Sequence, residues 1–388
     1  MQTPLILVGH RGGINRHLEL EQQNNLLMPR QDYIEIVKRL GAEPLGNDWS
    51  NATWYRWTRR IEERLKVDLL ESFLAARQSS RDSAVLSMSE RVAIPLAAML
   101  YVRNIQIPHI VIVHKLSSGL KTYLFRVWQL HKRFTHVICV CRAQAVYAAS
   151  KTELPASRVD FVYDKVDHHF FHPLEEEMED YILAVGKEQR DYETLIQAIA
   201  GTGLKLVIVA SSPWSTKPIQ IDGADSVTEL KHLSYHELRQ MYARARLVVV
   251  PLVDVDYAAG VNTVLEAMAM AKPLIVSQTR GITDYVVHNE TGMYVKPGDV
   301  RDLRDSILSL WEEPRELNRL GANARQVVEE RMNLDIYVDR IVQIVHRAMI
   351  VQAGCYGGGN SVQRCEFSPS GRDRSEAEAD DRNRCTSN

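Results

Sequence analysis

The chain has 388 residues, 45% hydrophobic and 25% charged, with 47 Lys and Arg against 49 Asp and Glu and a formal charge of -2. That balance is ordinary for a globular protein and excludes a globally basic nucleic-acid binder. No apolar run reaches the roughly 18 residues that a membrane-spanning helix needs.

At roughly 100–200 residues per domain, the length accommodates two cores. The five cysteines are Cys139, Cys141, Cys355, Cys365 and Cys385. None has zinc-ligand spacing, and an odd count suggests no disulfide framework. A reducing, cytoplasmic setting is the expectation. The opening MQTPLILVGHRGG lacks a basic leader and an Ala-x-Ala cleavage site, so it reads as a first strand and not as a signal peptide.

In chain order, β-branched runs recur between helical patterns: 4–10, 83–89, 109–115, 136–142, 181–187, 204–211, 247–252 and 272–278. Several are apolar on both faces, as in strands of a covered parallel sheet. The intervening segments are long enough for crossover helices, which predicts an α/β architecture. The acidic, Pro173-containing change of composition over 168–180 is the expected linker. It divides the chain into an N-terminal Rossmann-like domain, 1–172, and a C-terminal one, 178–345. Residues 351–388 are poor in apolar side chains and rich in Gly, Ser and charge, and are expected to form a disordered tail.

The most informative stretch is DYAAGVNTVLEAMAMAKPLIVS, 256–277. A strand feeds the small-residue loop Ala258-Ala259-Gly260, and a helix opens over Val261, Asn262 and Thr263. Its first N–H groups lack intrahelical acceptors and the helix dipole is positive there, so the turn suits an anion such as phosphate. Glu266, one turn further in, is placed to accept both hydroxyls of a ribose. On spacing alone, a solvated helix residue after a plain turn is the slightly favoured reading.

This segment resembles the signature of the family 4 retaining glycosyltransferases (glycosyl transferases group 1), in Glu266-Ala267-Met268-Ala269 and Lys272-Pro273. In that family an earlier Glu pairs with the one matched here by Glu266. It would fall at Ala258, so it is missing. The resemblance continues through VDHHFFHP (166–173), YILAVGKEQRDYETLIQAI (181–199), LKHLSYHELRQMYARARLVVVPL (230–252) and SQTRGITDYVVHNETGMYVKPGDVRDLRDSI (277–307). It implies the GT-B fold, two Rossmann-like doubly wound domains facing a cleft. It also implies that Lys187 and Arg190 offset a diphosphate leaving group, and that His232 and Leu233 neighbour the nucleotide base. Two cations at the carboxyl end of a strand fit the place where ligands bind in open α/β sheets. Residues 281–284 serve either the donor sugar or a turn.

The first half says less. Gly12 and Gly13 follow the first strand as G-x-x-G-G, which departs from the dinucleotide pattern G-x-G-x-x-G. The resemblance places them against the donor phosphates; a plain turn is the other reading. His114 ends the strand at 109–115, where family members often carry a His beside the donor sugar. A hydrogen-bonded rim histidine is the alternative. Ser89, Glu90 and Arg91 form a candidate acceptor-side element. The stretch 119–136 alternates aromatic and basic residues, and reads as a helix with a basic exterior or as peripheral contact with a membrane surface. Asp254 and Asp256 invite a metal reading, but the implied fold is the wrong one for it, so no metal is expected.

The expectation is a retaining glycosyltransferase without a cofactor, taking a nucleotide-diphosphate sugar as donor. The acceptor is a saccharide, a lipid-linked molecule or a small molecule. The expected setting is the cytoplasm or the inner membrane surface. Alternatives are another GT-B enzyme, such as a phosphorylase or epimerase, and a non-catalytic nucleotide-sugar-binding protein.

Overall fold

The computed structural model describes residues 5–7, 27–42, 44–45, 58, 60–64, 67–80, 83–117, 123, 129–210, 226–231 and 233–356. It contains two compact units, Met1–Ile350 and Val351–Asn388. The first unit holds two six-stranded sheets, and every strand pair in both is parallel.

The first sheet comprises β1 (Leu5–Leu7), β2 (Pro44–Leu45), β3 (Val85–Ser87), β4 (His109–Val113), β5 (His136–Cys139) and β6 (Val159–Phe161), in the order β2-β1-β3-β4-β5-β6. The second comprises β7 (Glu179–Val185), β8 (Lys205–Val209), β9 (Val227–Leu230), β10 (Ala245–Val250), β11 (Leu274–Ser277) and β12 (Met293–Val295). Its order, β9-β8-β7-β10-β11-β12, reverses direction between β7 and β10. That reversal opens a crevice at the carboxyl ends of these two strands, where doubly wound folds bind ligands.

The apolar runs are strands because both of their faces are covered. In β7, Ile182 and Ala184 enter one core cluster while Tyr181, Leu183 and Val185 enter another. In β10, Leu247 and Val249 alternate with Val248 and Val250 in the same way. This is the two-residue period of a strand read on both sides. Every apolar run read from the sequence contains a strand. Four strands were not anticipated: β2, β6, β9 and β12. All four are short and form the edges of their sheets, with exposed or partly exposed residues such as Thr228 and Glu229. Short strands with open faces carry too little apolar signal to stand out.

The helices that matter for the site are α1 (Asp32–Leu40), α2 (Glu90–Val102), α3 (Arg142–Lys151), α4 (Tyr192–Ile199), α5 (Tyr235–Arg244), α6 (Val261–Ala269) and α7 (Leu334–Tyr356). Asp191 caps α4 by accepting the Thr194 N–H at 3.1 Å, and Ser234 with Glu237 forms a capping box on α5. Helix α7 leaves the second sheet and returns to the first lobe. Ile341, Ile344, Val345 and Ala348 share one apolar cluster with Ile34 and Ile36 of α1. The helix runs into the first residues of the stretch expected to be a tail, and 357–388 lie outside the described residues.

The reading of 119–136 as one helix is corrected in its described portion. Leu130–Lys132 form a single 3₁₀ turn and β5 starts at His136. Phe134 is buried against the His109 ring, with centroids 4.7 Å apart, and this contact draws the chain into the sheet. Among the described residues no helix is long and apolar enough to cross a membrane.

Candidate functional site

The crevice floor is built by two loops that pair with each other. After β7 the chain runs through 186–191, and after β10 through 251–260. The Asp191 N–H donates to Pro251 O at 3.0 Å, and the Val253 N–H donates to Gln189 O at 3.1 Å. Arg190 sits where the loops meet. Its Nε donates to Val185 O at 2.9 Å, one terminal nitrogen donates to Glu188 O at 3.0 Å, and the other donates to Thr263 Oγ1 at 2.9 Å. Burial pulls its pKa below the usual guanidinium value.

Two glycines make room for this guanidinium. Gly186 has φ +95° and Gly260 has φ +80°, both in the left-handed region. A Cβ at Gly186 would lie 2.6 Å from one terminal nitrogen of Arg190, and a Cβ at Gly260 would lie 3.0 Å from the other. Arg190 therefore fills the space between two bare backbones. Gly260 is also the N-cap of α6 and supplies no capping side chain. The first turn of α6 thus presents N–H groups without side-chain acceptors, beside a fixed cation.

Within that turn, Val261 is buried, Asn262 is exposed and Thr263 is 4% exposed. The Thr263 hydroxyl is committed to Arg190 and Val185 O. Lys187 lies in the same loop as Arg190, half-buried, and its side chain makes no hydrogen bond or ion pair among the described residues. It is thus a cation with its charge uncommitted.

Glu266 is one turn further along α6. Tyr242, a fully buried side chain of α5, donates its hydroxyl to Glu266 Oε2 at 2.9 Å. Burial raises the Glu266 carboxyl to about 7, against the lowering influence of the Tyr242 hydroxyl and the Arg190 charge. Tyr242 went unnoticed in the sequence because a tyrosine in an apolar helix face reads as core. Lys272 ties the motif to α5 by donating to Ala243 O at 2.5 Å, and burial lowers its pKa to about 8.

Leu233 is partly buried and packs on the core beneath the site. Gly12, Gly13 and His232 lie outside the described residues. Gly281 packs against the site loop so closely that a Cβ there would meet Tyr257 O at 2.0 Å. Its role is this backbone approach. Ala258 is 8% exposed in that loop, so the missing carboxylate is replaced by a buried methyl.

On the first lobe, His114 follows β4 and is exposed. Its N–H donates to Glu90 Oε2 at 3.2 Å, and Glu90 itself is 6% exposed. Ser89 caps α2 through the Arg91 N–H, and Arg91 pairs with Asp68 at 3.1 Å. The candidate acceptor-side element is thus engaged in local structure. Lys115, next to His114, stacks its ammonium 4.4 Å from the Tyr257 ring centroid, and Tyr257 donates to Glu188 at 3.1 Å. The His114 loop therefore borders the second-lobe loops directly.

Asp254 is exposed, while Asp256 accepts the Ser117 hydroxyl at 2.8 Å. Among the described residues a different group, His168, His169 and Asp335, brings ligand atoms within 4.8 Å of one another. Arg30 donates to both Asp335 oxygens, at 3.0 and 3.2 Å, and this fixed cation opposes a metal ion there. A hollow of about 430 Å³ lies at the opposite, amino end of the second sheet, among Tyr181, Lys205, Thr228 and Arg244. It is remote from the motif residues.

Residues 166–327 match the profile of the family described as glycosyl transferases group 1. The O-antigen chain mannosyltransferase RfbU of Salmonella typhimurium is 25% identical over 199 residues, covering 49% of this chain and 55% of that protein. The MMP alpha-(1->4)-mannosyltransferase of Mycolicibacterium hassiacum is 26% identical over 202 residues, covering 49% and 48%. The chain spans about half the length of the curated relatives it matches. Among solved structures, sucrose-phosphate synthase from Thermosynechococcus elongatus superposes with a TM-score of 0.62 at 16% identity, covering 90% of this chain and 100% of that one. Anabaena HepE in complex with UDP and glucose gives 0.63 at 14% identity, covering 89% and 100%. At these identities the likeness concerns fold, and that fold is GT-B.

Proposed function

Residues 166–327 match the glycosyl transferases group 1 profile, and on that premise we propose that the chain transfers a sugar, with retention, from a nucleotide-diphosphate sugar to an acceptor hydroxyl. The observation that carries the reading is Arg190 wedged between Gly186 and Gly260 at the mouth of α6, with Glu266 one turn inside. A diphosphate fits that mouth. The N–H groups of 260–263 and the Arg190 and Lys187 charges supply its counter-charge. Glu266 Oε1 has no protein partner among the described residues and is available to the ribose hydroxyls.

In this reading the bond from the sugar anomeric carbon to the terminal phosphate breaks as the acceptor oxygen attacks from the same face. The leaving diphosphate takes the acceptor proton and the electron pair. No carboxylate nucleophile is required in this reading, and Ala258 stands where the family has its earlier Glu. Lys187 and Arg190 stabilise the charge growing on the diphosphate, the interaction that speeds the step. His114 lies on the facing lobe with its ring exposed toward solvent, free to donate to the sugar. Closure of the lobes keeps water from the activated sugar. The names of relatives, two mannosyltransferases and a UDP-bound neighbour, support a nucleotide-sugar donor and a saccharide-type acceptor.

The test is thermal unfolding with UDP, GDP and dTDP, followed by product analysis with the matching sugars. At least one nucleotide is expected to raise the melting temperature, since it binds the native state only, and Glu266→Ala is expected to shrink that rise. If none of the three shifts the curve, the donor site is wrongly placed. Phosphate-dependent cleavage or an isomerised sugar would mark a phosphorylase or epimerase, and binding without turnover a carrier.

A further inference from the structure

Gln144, in the first turn of α3, is 0% exposed, and all of its hydrogen-bonding capacity is spent at one place. Its Oε1 accepts from the Leu116 N–H at 2.7 Å and the Ser117 N–H at 3.3 Å. Its Nε2 donates to Ser117 Oγ at 3.0 Å and to Asp256 O at 2.9 Å. Ser117 Oγ passes its own hydrogen to Asp256 Oδ1 at 2.8 Å. The orientation of the amide is dictated by these partners: reversed, it would set an NH2 against two N–H groups.

The ring of contacts joins elements that function must join. Ser117 lies three residues after His114, in the segment that follows β4 of the first lobe. Asp256 lies four residues before Gly260, in the loop that feeds α6 of the second lobe. One buried amide thus holds the facing loops in register. Beside it, the Arg142 N–H donates to Asp284 Oδ2 at 2.7 Å, so the start of α3 grips the second lobe at two points.

We propose that Gln144, with Ser117 and Asp256, is a clasp that fixes the closed arrangement of the lobes and sets the spacing between His114 and the Gly260 turn; its catalytic consequence rests on the donor reading above. Asp256 has its place here as the acceptor of the clasp. Gln144 is a positioning residue, since it acts through two loops.

Gln144→Glu is the discriminating variant. It keeps an oxygen toward the Leu116 and Ser117 N–H groups and removes both donors toward Ser117 and Asp256. Ser117→Ala is the milder second variant. Each is compared with wild type for thermal unfolding, radius of gyration by X-ray scattering, affinity for UDP, GDP and dTDP, and kcat and KM for the donor. Gln144→Glu is expected to fold, to show a larger radius of gyration without nucleotide, and to bind nucleotide within about threefold of wild type. Its kcat is expected to fall at least ~10-fold, because misplaced loops cost rate more than donor affinity. Ser117→Ala is expected to shift in the same sense by about threefold. An unchanged radius with unchanged kcat overturns the proposal, as does a loss confined to nucleotide affinity. If Gln144→Glu does not fold, Ser117→Ala decides by the same two measurements. If wild type binds no nucleotide, the donor reading fails by itself, and the scattering comparison still decides the clasp.

Discussion

Glu266 is raised to about 7 by burial beside Tyr242, while the same group in the unfolded chain titrates near 4.5. Between those values the folded state holds a proton that the unfolded state has released. Stability is therefore present below about 4.5 and is lost as pH rises through about 7. Glu266→Gln removes the cost of burying the charge. Its melting temperature is expected to match wild type in acid and to exceed it above neutrality. Partial contact with water limits the gain to on the order of 1–2 kcal/mol. Nucleotide affinity is expected to move the other way: the wild-type advantage over Glu266→Gln grows as pH rises from 6 to 8, measured by calorimetry. An advantage independent of pH would place the ribose elsewhere. Glu266 was legible in the sequence because its motif is local. Arg190 was legible as a charge only. Its anchorage by Val185 O, Glu188 O and Thr263 comes from two strands meeting at a reversal of the sheet, which spacing along one chain does not encode.

At the scale of elements, the apolar runs were legible because strands covered on both faces must be apolar throughout. The strands β2, β9 and β12 were not, because partly exposed edge residues satisfy no such requirement. Turns differ in the same way. The sequence marks Gly281 as a neighbour of the donor sugar or a turn, whereas in the fold its missing Cβ is what lets the 257–258 backbone approach. Gly281→Ala is expected to lower stability by more than about 2 kcal/mol, since the obstacle at 2.0 Å is a carbonyl oxygen and not a side-chain tip. Gly298→Ala, at φ +74° with nothing within 4 Å, should cost only about 1 kcal/mol from the left-handed backbone. Urea titration of both variants checks the contrast, and equal losses would remove Gly281 from the support of the site loop.

Across the whole molecule, buried polar contacts join the lobes alongside a shared apolar cluster. The hydroxyl of Tyr285, 2% exposed, donates to Val140 O and accepts the Asp164 N–H at 2.9 Å. Tyr285→Phe leaves both backbone groups without that partner, and is expected to cost about 1–3 kcal/mol in urea unfolding. The loss should come without any change in nucleotide affinity, since these groups lie outside the donor loops. No sequence pattern marked Tyr285 or Gln144, because their partners are 145 and 112 residues away. Such contacts exist only once two independently wound sheets have met.

The path of α7 has a consequence for how the protein is made. Lys165 pairs with Asp32 at 2.8 Å and Asp164 at 3.0 Å and lies 4.8 Å from the Tyr337 ring centroid, while Arg39 reaches Asp339 and Arg30 reaches Asp335. The first lobe therefore lacks one wall until α7, which follows both sheets in the chain, has been made and has docked. A nascent chain stalled before residue 334 should leave α1 open to protease even with both sheets complete.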